Sequence, residues 1–309
     1  MLKGSLVPNI TIFDEHGAVD NGKTRWHMEW MFSKGVDGLF LTGSYGSGPL
    51  MSNEERAAIF TLAREAAGVF RDRILLPHVG CIDTRSTVDL ARAAEKAGAH
   101  AVGAVPPYYY KHSDETILEY YRAILAVVKI PVYAYNNPET SRYTFNLKTV
   151  RTLMEAGLAG LKDSPLSIGF ISQLHYGAQD AGKAFQLILG TSTGWLPLYH
   201  MGVRAMIAGM NNWAPEIVTE LVRSTFAGEW DRARKCYLVM MDLSGKLHFT
   251  DSTIASHMAL HARGFDAGYP RRPMILPPVS DPKYAEIRTW LEGAFRELGL
   301  PLETGKALR

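Results

Sequence analysis

The sequence predicts an α/β fold of the (β/α)8 type, a TIM barrel with a C-terminal helical extension, on three observations. Short apolar runs alternate with longer charged, amphipathic stretches eight times over the first 225 or so residues. Gly35, Gly98, Gly157 and Gly202 fall just before apolar runs, where a helix C-cap belongs. No Pro/Gly/Ser linker or low-complexity tract splits the chain.

The predicted strands are Ser5–Phe13, Val36–Thr42, Arg73–Val79, Ala99–Val105, Ile130–Tyr135, Leu158–Lys162, Ala184–Leu189 and Val203–Ala208. Asn53–Phe70 is the clearest helix, because Ser52 and Glu55 flank its start as a capping box. Thr87–Lys96, Ser113–Val128, Asn146–Ala156 and Ile168–Gly177 share its pattern, and Met28, Trp30 and Met31 have the spacing of a core-facing helix stripe. From Glu216 onward the chain is mostly helical, with prolines at 270, 273, 277 and 278. Residues 1–225 are therefore assigned to a catalytic barrel and residues 226–309 to helices packed on it.

Composition narrows the function. Of 309 residues 47% are hydrophobic and 21% charged, as in a water-soluble globular protein. A formal charge of +2, with basic residues spread out, gives no electrostatic footprint for nucleic acid or an acidic membrane. Two cysteines, Cys81 and Cys236, are too few for a disulfide framework or a thiolate metal site. No apolar stretch has the length of a signal peptide or a membrane span, so a cytoplasmic protein is expected.

In such barrels chemistry gathers where strands end and βα loops begin. Tyr135 and Lys162, 27 positions apart, end the fifth and sixth predicted strands. A lysine buried there loses its charge readily and becomes a nucleophile toward a ketone, and a nearby phenol can shuttle the protons. The loop Gly43-Ser44-Tyr45-Gly46-Ser47-Gly48 follows the second strand and offers backbone N–H groups and a hydroxyl to an anion. Pro106-Pro107-Tyr108-Tyr109-Tyr110 follows the fourth. Amine, phenols and anion cradle on one face suit a 2-oxo acid.

These motifs together resemble the pyruvate-dependent class I aldolase superfamily that contains dihydrodipicolinate synthase and N-acetylneuraminate lyase. The resemblance rests on Tyr135–Pro138, Gly160–Ser164, the glycine-rich loop, Pro107–Tyr109 and Arg272-Pro273, and spans nearly the whole chain. It implies that Lys162 forms the Schiff base and that Tyr135 is the acid/base. Ser44 stands where the family has a threonine that binds the carboxylate. Tyr109 matches a tyrosine lent by a neighbouring subunit, so the resemblance implies a homo-oligomer, a dimer of dimers, with no metal or organic cofactor.

Departures bear on the substrate. Tyr45 replaces a second small hydroxyl in the usual Gly-Thr-Thr-Gly-Glu loop. Thr140 stands where dihydrodipicolinate synthases carry an arginine, with Arg142 two positions on, and Thr191-Ser192-Thr193 stands where sialic acid lyases have acidic residues. Both of those activities are disfavoured. Expected instead is reversible cleavage of a 2-keto-3-deoxy acid or similar 2-oxo acid to pyruvate and an aldehyde, with dehydration through the same imine as the alternative. The second substrate is expected to meet Tyr45 and Gly46 and the loops after strands seven and eight: Ser192, Trp195, Met210, Asn211 and Asn212, with Trp213 assigned to packing.

Rival motifs are weaker. Gly190-Thr191-Ser192-Thr193-Gly194 matches a hydrolase nucleophile elbow, with Asp251 and His257 or His261 following in order. His257 and His261 have the i, i+4 spacing of a zinc helix, but Met258 stands where its glutamate belongs. Gly46-x-Gly48 lacks the third glycine of a dinucleotide fingerprint. A barrel repurposed to bind a 2-oxo acid without catalysis is the non-enzymatic reading.

Overall fold

The computed structural model describes residues 2–305 except 181 and 183. Eight strands, β1 (Gly4–Val7), β2 (Gly38–Leu41), β3 (Ile74–Pro77), β4 (Val102–Ala104), β5 (Val132–Asn136), β6 (Gly160–Asp163), β7 (Gln186–Leu189) and β8 (Ala205–Ile207), form one parallel sheet. The order β3-β2-β1-β8-β7-β6-β5-β4 curls round until a parallel bridge from His78 to Gly103 joins the two ends. The amide of Val79 donates to the Gly103 carbonyl at 2.8 Å and that of His100 to Leu75 at 3.0 Å across this seam.

Around the sheet lie α1 (Asn21–Ser33), α2 (Asn53–Gly68), α3 (Thr84–Lys96), α4 (Asp114–Leu125), the single turn α5 (Pro138–Ser141), α6 (Leu147–Glu155), α7 (Ile168–Asp180), α8 (Trp195–Tyr199) and α9 (Pro215–Ala227). Then follow α10 (Trp230–Lys246), α11 (Ser252–Ala262) and α12 (Lys283–Leu298). The Ser52 hydroxyl accepts from the Glu55 amide while the Glu55 carboxylate accepts from the Ser52 amide, so the capping box forms. Gly35, Gly98, Gly157 and Gly202 take φ of 89°, 81°, 105° and 99°, the left-handed geometry that ends each helix before its strand.

Two apolar regions result. One fills the shell between sheet and helices and includes Met28, Trp30 and Met31. The other fills the barrel, where Leu6, Phe40, Leu76, Tyr133, Tyr135 and Ile188 meet. Strands are shorter than the apolar runs that predict them. The run from Ser5 to Phe13 joins the barrel sheet only through Val7, because Pro8 brings no N–H to the ladder, while Phe13 bridges Val19 and Tyr269 outside it. Ile10 and Ile12 stay buried beyond it, their amides taken by the Asn212 side chain and the Thr24 hydroxyl.

Arg263 of α11 anchors the terminal helices. Fully buried, its guanidinium reaches Glu216 of α9 at 2.8 Å, the Trp213 carbonyl at 2.7 Å and the Glu303 carbonyl. No helix among the described residues is long and apolar enough to cross a membrane.

Candidate active site

Strands β5 and β6 pair in register, with Tyr135 beside Lys162. Side chains alternate along a strand, so paired residues share a face, and this pair faces the barrel interior. Asp163 fixes the end of β6: its carboxylate accepts from Asn136 Nδ2 at 2.6 Å and from the Leu166 amide at 2.9 Å.

Lys162 is buried, with Nζ 3.6 Å from the centroid of the Tyr135 ring and 3.9 Å from that of Phe40. No carboxylate pairs with it among the described residues. Burial holds the amine well below the ordinary lysine range. Ring faces favour a cation by about 2 kcal/mol when desolvated, whereas removing an ion from water costs several. Desolvation wins, and the nitrogen keeps a free lone pair.

The Tyr135 oxygen accepts from Asn137 Nδ2 at 3.2 Å and from the Ser164 hydroxyl at 3.3 Å. Gly190 sits against Ser164, where a Cβ would lie 2.4 Å from its Oγ. Burial raises the phenol above its usual range, and the two donors only partly offset that. Tyr135 is therefore a protonated phenol at neutral pH whose own O–H is free to donate. Behind it His78 accepts from the Val105 amide through Nε2, and burial and nearby Arg56 push its titration well down.

The loop after β2 folds tightly, with the amides of Ser47 and Gly48 returning to the carbonyls of Ser44 and Gly43. It leads into a 3-10 turn, Gly48–Leu50, and α2 starts only at Asn53, so the cradle is the loop itself rather than a long helix end. The amides of Ser44, Tyr45 and Gly46 donate to no protein acceptor among the described residues. The Tyr45 side chain turns away from that cradle. Its Oη packs on Gly209 after β8, where a Cβ would lie 2.3 Å from it.

A cavity of about 360 Å3 connects these groups. Phe40, Tyr135, Lys162, Ser44 and Tyr45 line it. Ser192 lines it with Thr191 and Thr193, as do Met210 and Trp213, the last of which the sequence had assigned to packing. Four anticipated contacts lie elsewhere. Trp195 is fully buried behind the wall, its indole donating to Thr225. Asn211 is buried with its amide on Ser5 Oγ, and Gly46 packs beneath the loop, its carbonyl taking the Thr11 hydroxyl. Asn212 likewise serves the backbone, at Ile10, Pro8 and Gly209. Tyr109 points outward, 70% exposed with φ of 83°, away from Lys162 of its own chain. Sequence reading missed Ser244, His248, Ser252 and Ser256, which α10, α11 and their connection bring to the wall. No motif marks them; hydroxyl residues on one side of a helix are the only trace.

The rival constellations do not assemble. Asp251 caps α11 by accepting from the Thr253 amide. His257 and His261 face the carbonyls of Ala267 and Gly268, so neither is oriented to serve Ser192. Among the described residues no cluster of metal-ligating side chains occurs. Both cysteines are buried and unpaired.

Comparison with known proteins shows the family and the fold. The family model described as "Dihydrodipicolinate synthetase family" matches residues 1–294. An uncharacterized DapA-like lyase of Halobacterium salinarum is 31% identical over 300 residues, 97% of this chain and 95% of that protein. The 4-hydroxy-tetrahydrodipicolinate synthase of Bartonella quintana is 30% identical over 277 residues, 89% of this chain and 92% of its own. Among solved structures, YagE of E. coli K12 in complex with pyruvate superposes with a TM-score of 0.87 at 24% identity, covering 95% of this chain and 99% of that one. The 2-keto-3-deoxygluconate aldolase of Sulfolobus solfataricus gives 0.86 at 21%, covering 96% and 97%. The chain belongs to the dihydrodipicolinate synthetase family, class I pyruvate-dependent lyases that work through a covalent lysine–pyruvate Schiff base and no external cofactor.

Proposed function

We propose that this protein reversibly cleaves a 2-oxo acid, a 2-keto-3-deoxy acid or a close analogue, into pyruvate and an aldehyde, with Lys162 as the nucleophile. The observation that carries this reading is a buried amine without a carboxylate partner among the described residues, its pKa lowered by burial, in register with a buried phenol.

Lys162 Nζ adds to C2, and the C2 oxygen leaves as water with protons delivered through Tyr135. The imine then draws in the electron pair of the C3–C4 bond as the C4 hydroxyl gives up its proton. An aldehyde departs, the enamine is protonated at C3, and hydrolysis frees pyruvate. The Ser44 hydroxyl and the unpaired amides of Ser44 and Tyr45 hold the carboxylate. Tyr109 acts in a neighbouring subunit, which makes a homodimer the smallest complete unit and a dimer of dimers the assembly. Holding a non-glycine residue at φ 83° costs about 1–3 kcal/mol, and presenting that phenol outward is a reason to bear it.

The name of the Bartonella relative offers a second activity, condensation toward a dicarboxylic product. Thr140 and Arg142 weigh against it: the first bonds the Asn137 carbonyl, and the second follows α5 without reaching the cavity wall. The name of the Sulfolobus neighbour fits the 2-keto-3-deoxy acid class.

Borohydride reduction in the presence of pyruvate, followed by peptide mapping, is the test. A reduced adduct on Lys162 is expected. Adducts only with longer 2-keto-3-deoxy acids would favour dehydration through the same imine. No adduct with any 2-oxo acid would overturn the proposal.

A further inference from the structure

The wall of the cavity that holds Lys162 is built by parts of the chain far apart in sequence. Tyr45 comes from the loop after β2, and Ser252 and Ser256 from α11, more than 200 residues later. Gly209 leaves the space through which the Tyr45 phenol reaches across the barrel mouth, and a Cβ there would collide with Oη, Cζ and Cε1 at 2.3, 2.6 and 2.9 Å. The Ser252 hydroxyl sits beside that phenol and favours its ionised form, but burial outweighs it and keeps the proton on oxygen. A protonated phenol and a serine hydroxyl thus line the same cavity as Lys162. The hydroxyls of Thr191, Ser192 and Ser244 share the wall with apolar Met210, Trp213 and Leu247. Among the described residues no carboxylate or guanidinium lines the cavity, the exposed His248 is on its wall, and the nearby charge of Asp251 acts on Tyr45.

We propose that Tyr45 and Ser252 together hydrogen-bond the oxygen on C4, the carbonyl oxygen of the incoming aldehyde, and that the surrounding hydroxyl wall selects uncharged, hydroxylated aldehydes. This rests on the lyase reading above and deepens it. In the condensation direction the enamine C3 bonds to the aldehyde carbon, and the oxygen that gains the electron pair is stabilised by two neutral donors. A second carboxylate on the aldehyde would be partly desolvated here without a cationic partner, at a cost of several kcal/mol. A neutral polyol exchanges water for protein hydroxyls at little net cost.

The test uses the full-length protein with pyruvate and either glyceraldehyde or succinic semialdehyde. Expected is a preference for glyceraldehyde of about 100-fold or more in kcat/KM. Tyr45→Phe and Ser252→Ala should each lower kcat/KM for glyceraldehyde about tenfold, the double variant falling by less than the product. The loss should fall on the aldehyde, with the KM for pyruvate little changed and pyruvate still trapped on Lys162 by borohydride. Variants that trap pyruvate and also keep wild-type kcat/KM would overturn the inference while leaving the lyase standing. Equal use of the two aldehydes, or no condensation with glyceraldehyde, would also overturn it. Failure of the wild type to trap pyruvate would instead bring down the lyase reading, and this inference with it.

Discussion

The Lys162 ammonium would need a counter-ion or water to survive at the centre of the barrel, and it has aromatic faces instead. Because burial lowers its pKa, the amine is protonated and inert only at pH values below that depressed pKa. Imine trapping with pyruvate should therefore fall off on an acidic limb far below the ordinary lysine value of 10.5. A limb near that value would contradict the burial argument. Replacing the amine by methyl, Lys162→Ala, should abolish both trapping and turnover. Tyr135→Phe keeps the ring over Nζ and removes only the proton carrier, so turnover should drop by about 10² to 10⁴ while slow imine formation persists. Single-turnover kinetics separate the two effects.

At the scale of elements, the pairing of β5 with β6 turns two local motifs into one site, and it was legible because both strands announce themselves. Apolar runs bounded by Gly157 and by Pro138 fix where each ladder ends, and a strand's alternation then points Tyr135 and Lys162 the same way. Trp195 and Asn211 were not legible in that sense. Each lies in a short helical turn after its strand, where no period of two says which side faces the cavity. Ser252 and Ser256 were hidden for a different reason: the turn-like spacing places them on one side of α11, but only the docking of α11 decides what that side meets. That docking hangs on Arg263 and Glu216, 0% and 10% exposed. Arg263→Met would strand a nearly buried carboxylate and free the Trp213 and Glu303 carbonyls. A loss of about 3–5 kcal/mol is expected in denaturant unfolding at neutral pH. An unchanged midpoint would mean that α11 is held by apolar packing alone.

The whole molecule carries a pH liability at the same seam. His27 of α1 faces the Asn212 carbonyl and His257 of α11 faces that of Ala267, both fully enclosed. Burial lowers His27 to about 4 and His257, with some repulsion from His261, to about 3. An unfolded chain binds these protons near pH 6.5 while the folded chain refuses them until far lower. Folding stability is therefore intact above about pH 6.5 and declines as pH falls below it, by about 2 kcal/mol for each histidine at pH 5. Buried Asp37 and Asp163, whose carboxyls are raised, oppose the decline because they take up protons more readily when folded. They act nearer the carboxylate range, so between pH 7 and 5 the histidines should dominate. Urea midpoints measured across that interval should fall, and His27→Gln, which keeps a donor for the Asn212 carbonyl, should remove about a third of the slope or less, because buried His78 adds to the decline in the same way. A flat profile would show that water or motion at the seam lets these rings take up protons without unfolding. Since the same helix α11 carries the cavity wall, the proposed aldehyde selectivity should weaken with the fold on the acid side.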